Sequence, residues 1–234
     1  MKPPQKLISP DGLPRSIISP DMTRQLHIIW DWNGTLLNDV QACAGAINVL
    51  LERRNLPPIT LGQYLDVFDF PVRNYYLRLG FDFSQDRWDD VAVEYHEAYA
   101  RLSVDSPLRE GARAALDSLK CRGIGVSVLS ACETGLLKRM MRERDVLDCF
   151  EHVYGLSDFF AHSKLDLGHA LLKNAGLSRT ETLLVGDTTH DHEVAQALGI
   201  PCILMTGGHQ SASKLVRLGC PVVADFAEAL QLIR

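Results

Sequence analysis

The fold of this chain is decided by the stretch LHIIWDWNGT, which occupies residues 26–35. Its first five residues are apolar, β-branched or aromatic apart from one histidine, a composition typical of a buried strand. The apolar run stops at Asp31, and the polar residues and glycine that follow predict a loop. The sequence therefore predicts a buried β-strand that places Asp31 in a polar loop at the strand's carboxyl end.

Further along the chain, strand-like and helical patterns alternate. Short apolar runs that predict strands lie at residues 125–129, 182–185, 201–205 and, more weakly, 221–223. Helical periodicity around them predicts helices at residues 109–122, 133–145, 163–176, 190–199, 211–218 and 225–233. Because strands that alternate with helices form parallel sheets covered on both faces, we predict an α/β fold with a three-layer, Rossmann-like core.

One interval interrupts this alternation. Residues 38–108 contain no strand-like run and carry amphipathic helical patterns, such as that of residues 88–102. An insertion after the first strand leaves from the carboxyl edge of the sheet, where open parallel sheets bind their ligands. We therefore predict three parts: a proline-rich arm at residues 1–20, a core at residues 21–37 and 109–234, and a helical cap at residues 38–108.

The composition excludes several classes of partner. The chain has 24 Lys and Arg residues against 29 Asp and Glu residues, and it has no basic run that could follow a nucleic acid backbone. No segment approaches the roughly 20 apolar residues of a membrane span, and the N-terminus lacks the apolar core of a secretory leader. Six cysteines without CxxC spacing predict free thiols. We expect a cytoplasmic protein that binds neither nucleic acid nor membrane, and the sequence leaves its oligomeric state open.

Polar residues follow several of the predicted strands. Asp31 follows the first strand, Ser130 the second, and Asp187 and Asp191 follow the strand at residues 182–185. The carboxyl ends of parallel strands share one edge of the sheet, so these side chains should converge. Mg²⁺ prefers hard oxygen ligands and usually binds through one or two carboxylates together with a substrate phosphate. The sequence therefore predicts a Mg²⁺ site with Asp31 and Asp187 as the natural pair.

The same residues suffice for phosphoryl transfer. A carboxylate such as Asp31 can attack phosphorus to form an aspartyl-phosphate, which water then hydrolyses. Gly34 allows the backbone to turn close to the phosphate, and Thr35 and Ser130 offer hydroxyl donors with backbone N–H groups nearby. The ammonium of Lys164 would face the oxygen atoms that carry charge in the transition state.

Four motifs in the expected order resemble those of the haloacid dehalogenase superfamily. The first is DWNGTLL at residues 31–37, and the fourth is GDTTHD at residues 186–191. Between them, Ser130 resembles the second motif and Lys164 the third. The resemblance covers residues 26–206 and, with the inserted helices, is similar to the phosphoglycolate-phosphatase-like branch with a helical cap.

The resemblance implies a role for each of these residues. Asp31 would be the nucleophile and a Mg²⁺ ligand, and the backbone carbonyl of Asn33 and the carboxylate of Asp187 would be further ligands. Asp191 would steady water on the metal, with His190 beside it. The predicted catalytic residues are Asp31, Asn33 and Lys164. The predicted phosphate-binding residues are Gly34, Thr35, Ser130, Ala131 and Lys164.

Asn33 departs from the family pattern. Most phosphatases of this family have an aspartate two residues after the nucleophile, which protonates the leaving group and activates water. An amide cannot carry that proton, and general acid-base help is typically worth about 10² to 10⁴ in rate. The enzyme would then be slow, would favour good leaving groups, or would recruit another group such as His190 or His192. The alternative is a phosphate-binding or regulatory protein with weak or no turnover.

Other reactions of the family fit less well. The phosphonate-cleaving branch needs a lysine in the cap, and no lysine lies between Lys6 and Lys120. A dehalogenase would need no metal, whereas the acidic fourth motif favours a cation, and a mutase would need the acid that Asn33 removes. We predict a Mg²⁺-dependent phosphatase for a small phosphorylated metabolite, in which Arg73 of the cap could grip a carboxylate or second phosphate. Arg78 is open to the same interpretation.

Overall fold

The protein folds around one parallel β-sheet in a computed structural model that describes residues 26–157 and 164–233. The arm predicted at residues 1–20 lies outside the described residues. The strands run β1 (His27–Trp30), β2 (Gly125–Glu133), β3 (His152–Leu156), β4 (Thr182–Gly186), β5 (Cys202–Met205) and β6 (Val222–Val223). Their order in the sheet is β3-β2-β1-β4-β5-β6, and every pair is parallel.

Strand β1 lies in the middle of the sheet. Ile28 is in register with Val126 of β2 on one side and Leu183 of β4 on the other. All five predicted strands are present, and β2 extends beyond its predicted end at residue 129 to Glu133, with an irregular register after Leu129. The carboxyl ends of β1, β2 and β4 therefore lie side by side, as the sequence predicted.

The described residues form ten helices, of which four lie within residues 38–108 and six follow further along the chain. The first four are α1 (Val40–Arg53), α2 (Leu61–Val67), α3 (Val72–Arg78) and α4 (Trp88–Leu102). The others are α5 (Ala112–Cys121), α6 (Thr134–Glu143), α7 (Lys164–Asn174), α8 (Thr189–Leu198), α9 (Ala212–Leu215) and α10 (Phe226–Leu232), with a short 3₁₀ turn at Leu147–Cys149. None of the described helices combines the length and apolarity needed to cross a bilayer.

Two sequence predictions of secondary structure need correction. Strand β3 was not predicted, because its sequence HVYGL contains a histidine and a glycine and four of its five residues are only partly buried at the sheet edge. The helix predicted at residues 211–218 is only four residues long. After Leu215 the chain continues as a turn, in which the N–H groups of Arg217 and Leu218 donate to the carbonyls of Lys214 and Leu215, and Leu218 still packs on the apolar cluster.

Alternating side chains of β1 pack into two apolar clusters, one on each face of the sheet. Ile28 and Trp30 belong to a large cluster on one face, whereas Ile29 packs on the opposite face with residues such as Leu171 and Leu198. Side chains of this strand are fully buried on both faces, which is the pattern of a parallel sheet covered by helices on each side. The predicted three-layer α/β core is confirmed.

The inserted helices join the same core. Helices α1 and α4 pack against each other, and their buried side chains Leu50 and Tyr99 belong to the cluster that includes Trp30. Helix α2 is also held to the loop that follows β5, because the backbone N–H of Ser211 donates to the carbonyl of Leu65 at 3.2 Å. The insertion is thus helical and lies against the edge where the strands end, while its bounds at residues 38–108 stay a prediction.

Candidate active site

The loop at residues 31–37 continues the sheet and then turns sharply. The N–H of Asp31 donates to the carbonyl of Val185 at 2.8 Å, which adds one bond to the ladder between β1 and β4. Gly34 follows with φ of 73°. A Cβ atom there would lie 2.4 Å from Oδ2 of Asp187. Glycine is therefore required both for the left-handed backbone and for the close approach of the loop to Asp187.

Lys164 joins the carboxylates of two motifs. Its Nζ lies 2.5 Å from Oδ1 of Asp31 and 2.5 Å from Oδ1 of Asp191. All three side chains are buried. Burial opposes the charge of Lys164, but the two carboxylates raise its pKa above the ordinary value. The first residue of α7 thus places a permanent positive charge beside the predicted nucleophile.

Asp191 is held in place by donors as well as by Lys164. Its Oδ2 accepts from the N–H of Thr188 at 3.0 Å and from the hydroxyl of Thr188 at 2.7 Å. Burial alone would raise the pKa of Asp191, but Lys164 and these donors hold it below the ordinary value. Thr188 also caps helix α8, so the start of this helix and the carboxylate position are fixed together.

Asp187 completes a cluster of three buried carboxylates. Oxygen atoms of Asp31, Asp187 and Asp191 all lie within 4.8 Å of one another. Burial raises the pKa of Asp31 to about 8, with Lys164 opposing and the two neighbouring aspartates adding to the shift. Burial likewise raises the pKa of Asp187. Crowded buried carboxylates with raised pKa values suit a divalent cation, because a cation offsets their mutual repulsion.

The carboxylate of Asp187 accepts hydrogen bonds from Thr35 and His209. The hydroxyl of Thr35 is fully buried and donates to Oδ1 of Asp187 at 2.7 Å. The backbone N–H of His209 donates to Oδ2 at 2.6 Å. The Thr35 side chain therefore orients the carboxylate of Asp187 in this structure, and its predicted role in phosphate binding stays a prediction.

Ser130 and Ala131 lie in the irregular part of β2. The hydroxyl oxygen of Ser130 accepts from the N–H of Cys132 at 3.0 Å and lies 3.5 Å from Oδ1 of Asn33. Ala131 is exposed. The structure thus brings Ser130 and Asn33 together at the end of β2, next to the loop that carries Asp31.

Asn33 leads to a buried polar group that the sequence analysis missed. Its Nδ2 donates to Oδ2 of Asp39 at 2.7 Å and to the hydroxyl oxygen of Tyr99 at 2.8 Å. Asp39 is fully buried and also accepts from the Tyr99 hydroxyl at 2.7 Å and from the N–H of Gly34 at 2.9 Å. Asp39 precedes α1 but makes no capping bond to it. Its carboxylate instead organises the loop that carries Asn33.

His209 pairs with Asp39 from the other side. Its Nε2 lies 3.3 Å from Oδ1 of Asp39, and its Nδ1 lies 2.9 Å from the hydroxyl of Tyr64. Burial alone would lower the pKa of His209, but Asp39 raises it to about 9. Burial alone would raise the pKa of Asp39, but His209 lowers it below the ordinary value. The pair is therefore an imidazolium and a carboxylate at neutral pH.

Arg109 is a second residue that the sequence analysis missed. Its Nη1 donates to the carbonyl of Gly34 at 2.8 Å, and its Nη2 donates to the carbonyl of Thr206 at 2.6 Å. It therefore ties the loop after β1 to the loop after β5. One signal pointed to this region, because the polar sequence TGGHQ at residues 206–210 follows a predicted strand and reaches the same sheet edge.

The predicted histidines lie at the margin of the cluster. His190 stacks on Phe70 with ring centroids 4.4 Å apart, and its Nδ1 lies 3.6 Å from the carboxylate of Glu193. Burial lowers the pKa of His190, and Lys164 lowers it further. His192 is buried. His190 thus faces Phe70 of the insertion and Glu193.

The cap arginines have partners within the insertion. Arg73 is exposed, and its guanidinium lies 5.1 Å from the ring centroid of Phe83. Arg78 donates to Oδ2 of Asp69 at 3.2 Å. Among the contacts of the described residues, none joins Arg73 to the carboxylate cluster. The structure therefore does not bring Arg73 together with the other predicted site residues, and its role stays a prediction.

Comparison with known proteins identifies the family. The family model described as haloacid dehalogenase-like hydrolase matches residues 28–205. The chain belongs to this family. The match contains Asp31, Ser130, Lys164 and Asp187, so the superfamily predicted from the motifs is confirmed.

Individual hydrolases of this family are similar over most of the chain. A phosphoglycolate phosphatase of Rhodospirillum rubrum is 27% identical over 213 residues, which cover 85% of this chain and 86% of that protein. A phosphoglycolate phosphatase of Yersinia pseudotuberculosis is 25% identical over 217 residues, with 88% and 92% covered. These similarities support the predicted likeness to the phosphoglycolate-phosphatase branch.

Solved structures of the family have the same fold. A haloacid dehalogenase-like hydrolase of Streptococcus pneumoniae superposes with a TM-score of 0.78 at 18% identity, over 91% of this chain and 100% of that one. A predicted phosphoglycolate phosphatase of Haemophilus somnus superposes with a TM-score of 0.73 at 20% identity, over 91% and 100%. At these identities the likeness concerns the fold.

Proposed function

We propose that this hydrolase is a Mg²⁺-dependent phosphatase that cleaves the monoester of a small phosphorylated metabolite through an aspartyl-phosphate on Asp31. The observation that carries the proposal is the buried contact of Asp31 with Lys164 beside the carboxylate of Asp187. Such a cluster can bind a divalent cation and a phosphate together. The similarity to phosphoglycolate phosphatases supports a small anionic substrate.

The chain supplies a place for each charge of the substrate. Lys164 would hold phosphate oxygens through its ammonium, and the Ser130 hydroxyl with the nearby backbone N–H of Ala131 would donate to the remaining ones. Asp31, the carbonyl of Asn33 and Asp187 would hold Mg²⁺. Lys164 would hold the carboxylates of Asp31 and Asp191 in position beside it. Bound Mg²⁺ offsets the repulsion between the attacking carboxylate and the phosphate.

The reaction would proceed in two displacements. A carboxylate oxygen of Asp31 forms a bond to phosphorus while the ester oxygen leaves with the bonding electron pair and takes a proton from water. A second water molecule then attacks phosphorus, the bond to Asp31 breaks, and the proton of that water passes to solvent. Lys164 stays charged throughout and stabilises the oxygen atoms around phosphorus.

The insertion would control which substrate enters. We propose that residues 38–108 form a cap over a core of residues 21–37 and 109–234, since α2 and α4 both contact loops that carry site residues. Arg73 would be free to meet a distal anionic group only if the exposed face of α3 turns toward the substrate. We propose a metabolite of the cytoplasm as the substrate class.

The alternative proposal is a phosphate-binding or regulatory protein with weak or no turnover. Asn33 favours it, because the amide has no proton to give to a leaving group. The same Mg²⁺ and phosphate groups would then serve binding alone. The two proposals differ in one measurable quantity, which is the release of inorganic phosphate.

The test is a screen of Mg²⁺-dependent phosphate release from small phosphate esters, including phosphoglycolate. Asp31→Asn should lose about 10³-fold or more of the activity, because an amide cannot form the intermediate. The matched control is Asp117→Asn, which changes an exposed aspartate on α5 and should retain full activity. Equal hydrolysis by Asp31→Asn would overturn the mechanism, and phosphate binding without release from any ester would favour the alternative.

A further inference from the structure

The side chain of Asn33 has one hydrogen-bonding orientation open to it. Its Nδ2 donates to Asp39 at 2.7 Å and to Tyr99 at 2.8 Å, while its Oδ1 lies on the side of Ser130. A flipped amide would place Oδ1 against the carboxylate of Asp39, which only accepts hydrogen bonds. The orientation therefore follows from the network and not from the local sequence.

Asp39 is itself held as an anion by its surroundings. It is fully buried, and its two oxygen atoms receive donors from Asn33, the Gly34 backbone, Tyr99 and His209. A buried carboxylate with a cationic partner and several donors is fixed both in charge and in position. Its oxygen atoms contact the Asn33 side chain and the Gly34 backbone N–H, so Asp39 acts on the site through the loop that carries Asn33.

We propose that Asp39 is a positioning residue that turns Asn33 into a fixed hydrogen-bond acceptor facing the phosphate, and that its negative charge makes an amide necessary at position 33. This inference rests on the proposed phosphatase function. The Asn33 Oδ1 can accept a hydrogen bond from the attacking water and orient it, but the side chain offers the leaving group no proton. Asp39 lies on the Nδ2 side of Asn33. A carboxylate substituted at position 33 would therefore face the carboxylate of Asp39 at hydrogen-bond distance.

The consequence is that position 33 cannot be changed alone. Two carboxylates about 2.7 Å apart in a buried site repel each other strongly. An aspartate at position 33 would therefore either move away from Asp39 or keep a proton shared between the two carboxylates, and in both cases it would have no proton to give to a leaving group. Exchanging the two residue types, in the double variant Asn33→Asp with Asp39→Asn, restores an amide-to-carboxylate hydrogen bond with its direction reversed. The carboxylate then faces the phosphate and the amide lies behind it.

The kinetic test compares the wild type, Asn33→Asp, Asp39→Asn and the double variant on a series of aryl and alkyl phosphates. We expect kcat/KM of the wild type to fall steeply as the leaving-group pKa rises, because no acid protonates the leaving oxygen. Asn33→Asp should gain less than about threefold on alkyl esters, whereas the double variant should gain about 10²-fold or more on them and little on aryl esters. An equal gain from Asn33→Asp alone, or no gain from a folded double variant that binds Mg²⁺, would overturn the inference.

A second test reads the orientation without any turnover. The side-chain amide protons of Asn33 can be followed by NMR in the full chain, assigned by their loss in Asn33→Ser. Hydrogen exchange of these protons should be slow in the wild type, about tenfold or more faster in Asp39→Ser, and faster in Tyr99→Phe, because each change removes an acceptor. Tyr154→Phe is the matched control, since Tyr154 bonds only to the exposed Asn174 among the described side chains.

The two tests separate the inference from the proposed function. Protected amide protons that lose protection in Asp39→Ser support the positioning role even if no ester is hydrolysed. Exchange that is fast in the wild type, or equal in the wild type, Asp39→Ser and Tyr99→Phe, overturns it even if the enzyme is active. Absence of phosphate release from every ester in the screen counts against the phosphatase proposal alone.

Discussion

The buried ion pair between His209 and Asp39 makes the stability of the protein depend on pH in a defined direction. Burial alone would lower the pKa of His209, but the carboxylate of Asp39 raises it from 6.5 to about 9. Because the folded-state pKa lies above the unfolded one, the stabilisation is complete below pH 6.5 and is lost as pH rises through 9. At about 1.4 kcal/mol for each pH unit, this shift corresponds to about 3 kcal/mol, to which Asp39 contributes most and Asp187 and Asp31 add.

The measurement is urea unfolding of the wild type and His209→Gln between about pH 6 and about pH 10. A chelator is present throughout, because a cation beside Asp187 would itself lower the pKa of His209. The variant keeps a donor for Asp39 but carries no charge. The difference in the free energy of unfolding between the two proteins should fall by about 3 kcal/mol over this range, with most of the change between pH 6.5 and 9. A difference that stays constant with pH would refute the ion pair.

Three further predictions concern the metal, the loop and the cap. Asp187→Asn should lose Mg²⁺ binding measured by calorimetry, and chelation should abolish phosphate release by the wild type; undiminished hydrolysis in chelator would contradict this. Gly34→Ala should destabilise the protein by about 2 kcal/mol or more in chemical unfolding, because a Cβ atom would meet Asp187, whereas Gly123→Ala, with a similar φ but open space around it, should cost about 1 kcal/mol. If Arg73 grips a distal anionic group, Arg73→Lys should raise KM more than it lowers kcat, and unchanged kinetics on the best substrate would leave Arg73 as a surface residue.

The sequence determined the core of the fold through local patterns. A short apolar run must be buried, and the switch from apolar to polar residues at Asp31 fixes where β1 ends. In a parallel sheet the carboxyl ends of neighbouring strands meet at one edge, so Asp31, Ser130 and Asp187 had to come close once the strands were recognised. Lys164 was found by its motif, and the structure places its ammonium 2.5 Å from Asp31.

One edge strand was missed and one helix was predicted too long, because the local patterns of both are weak. Strand β3 is partly exposed and interrupted by Gly155, so it lacks the continuous apolar run of the central strands. The short helix α9 is held to the insertion by its own Lys214, whose Nζ donates to the carbonyl of Phe68 at 2.8 Å. The helical pattern at residues 211–218 predicted that a helix lies there but did not show where it ends.

Only the tertiary structure decided which groups surround Asn33. Asp39 stands before a helix, where its sequence position is that of an N-cap, but its carboxylate bonds to Asn33 and Gly34 instead. Its cationic partner His209 and the hydroxyl of Tyr99 come from segments far away along the chain. A hydrogen bond depends on distance and direction in space, whereas sequence spacing constrains only neighbours on one helix or strand. The sequence therefore showed that position 33 lacks the usual acid. Only the packing of the segments that carry Asp39, Tyr99 and His209 decided which way the Asn33 amide faces.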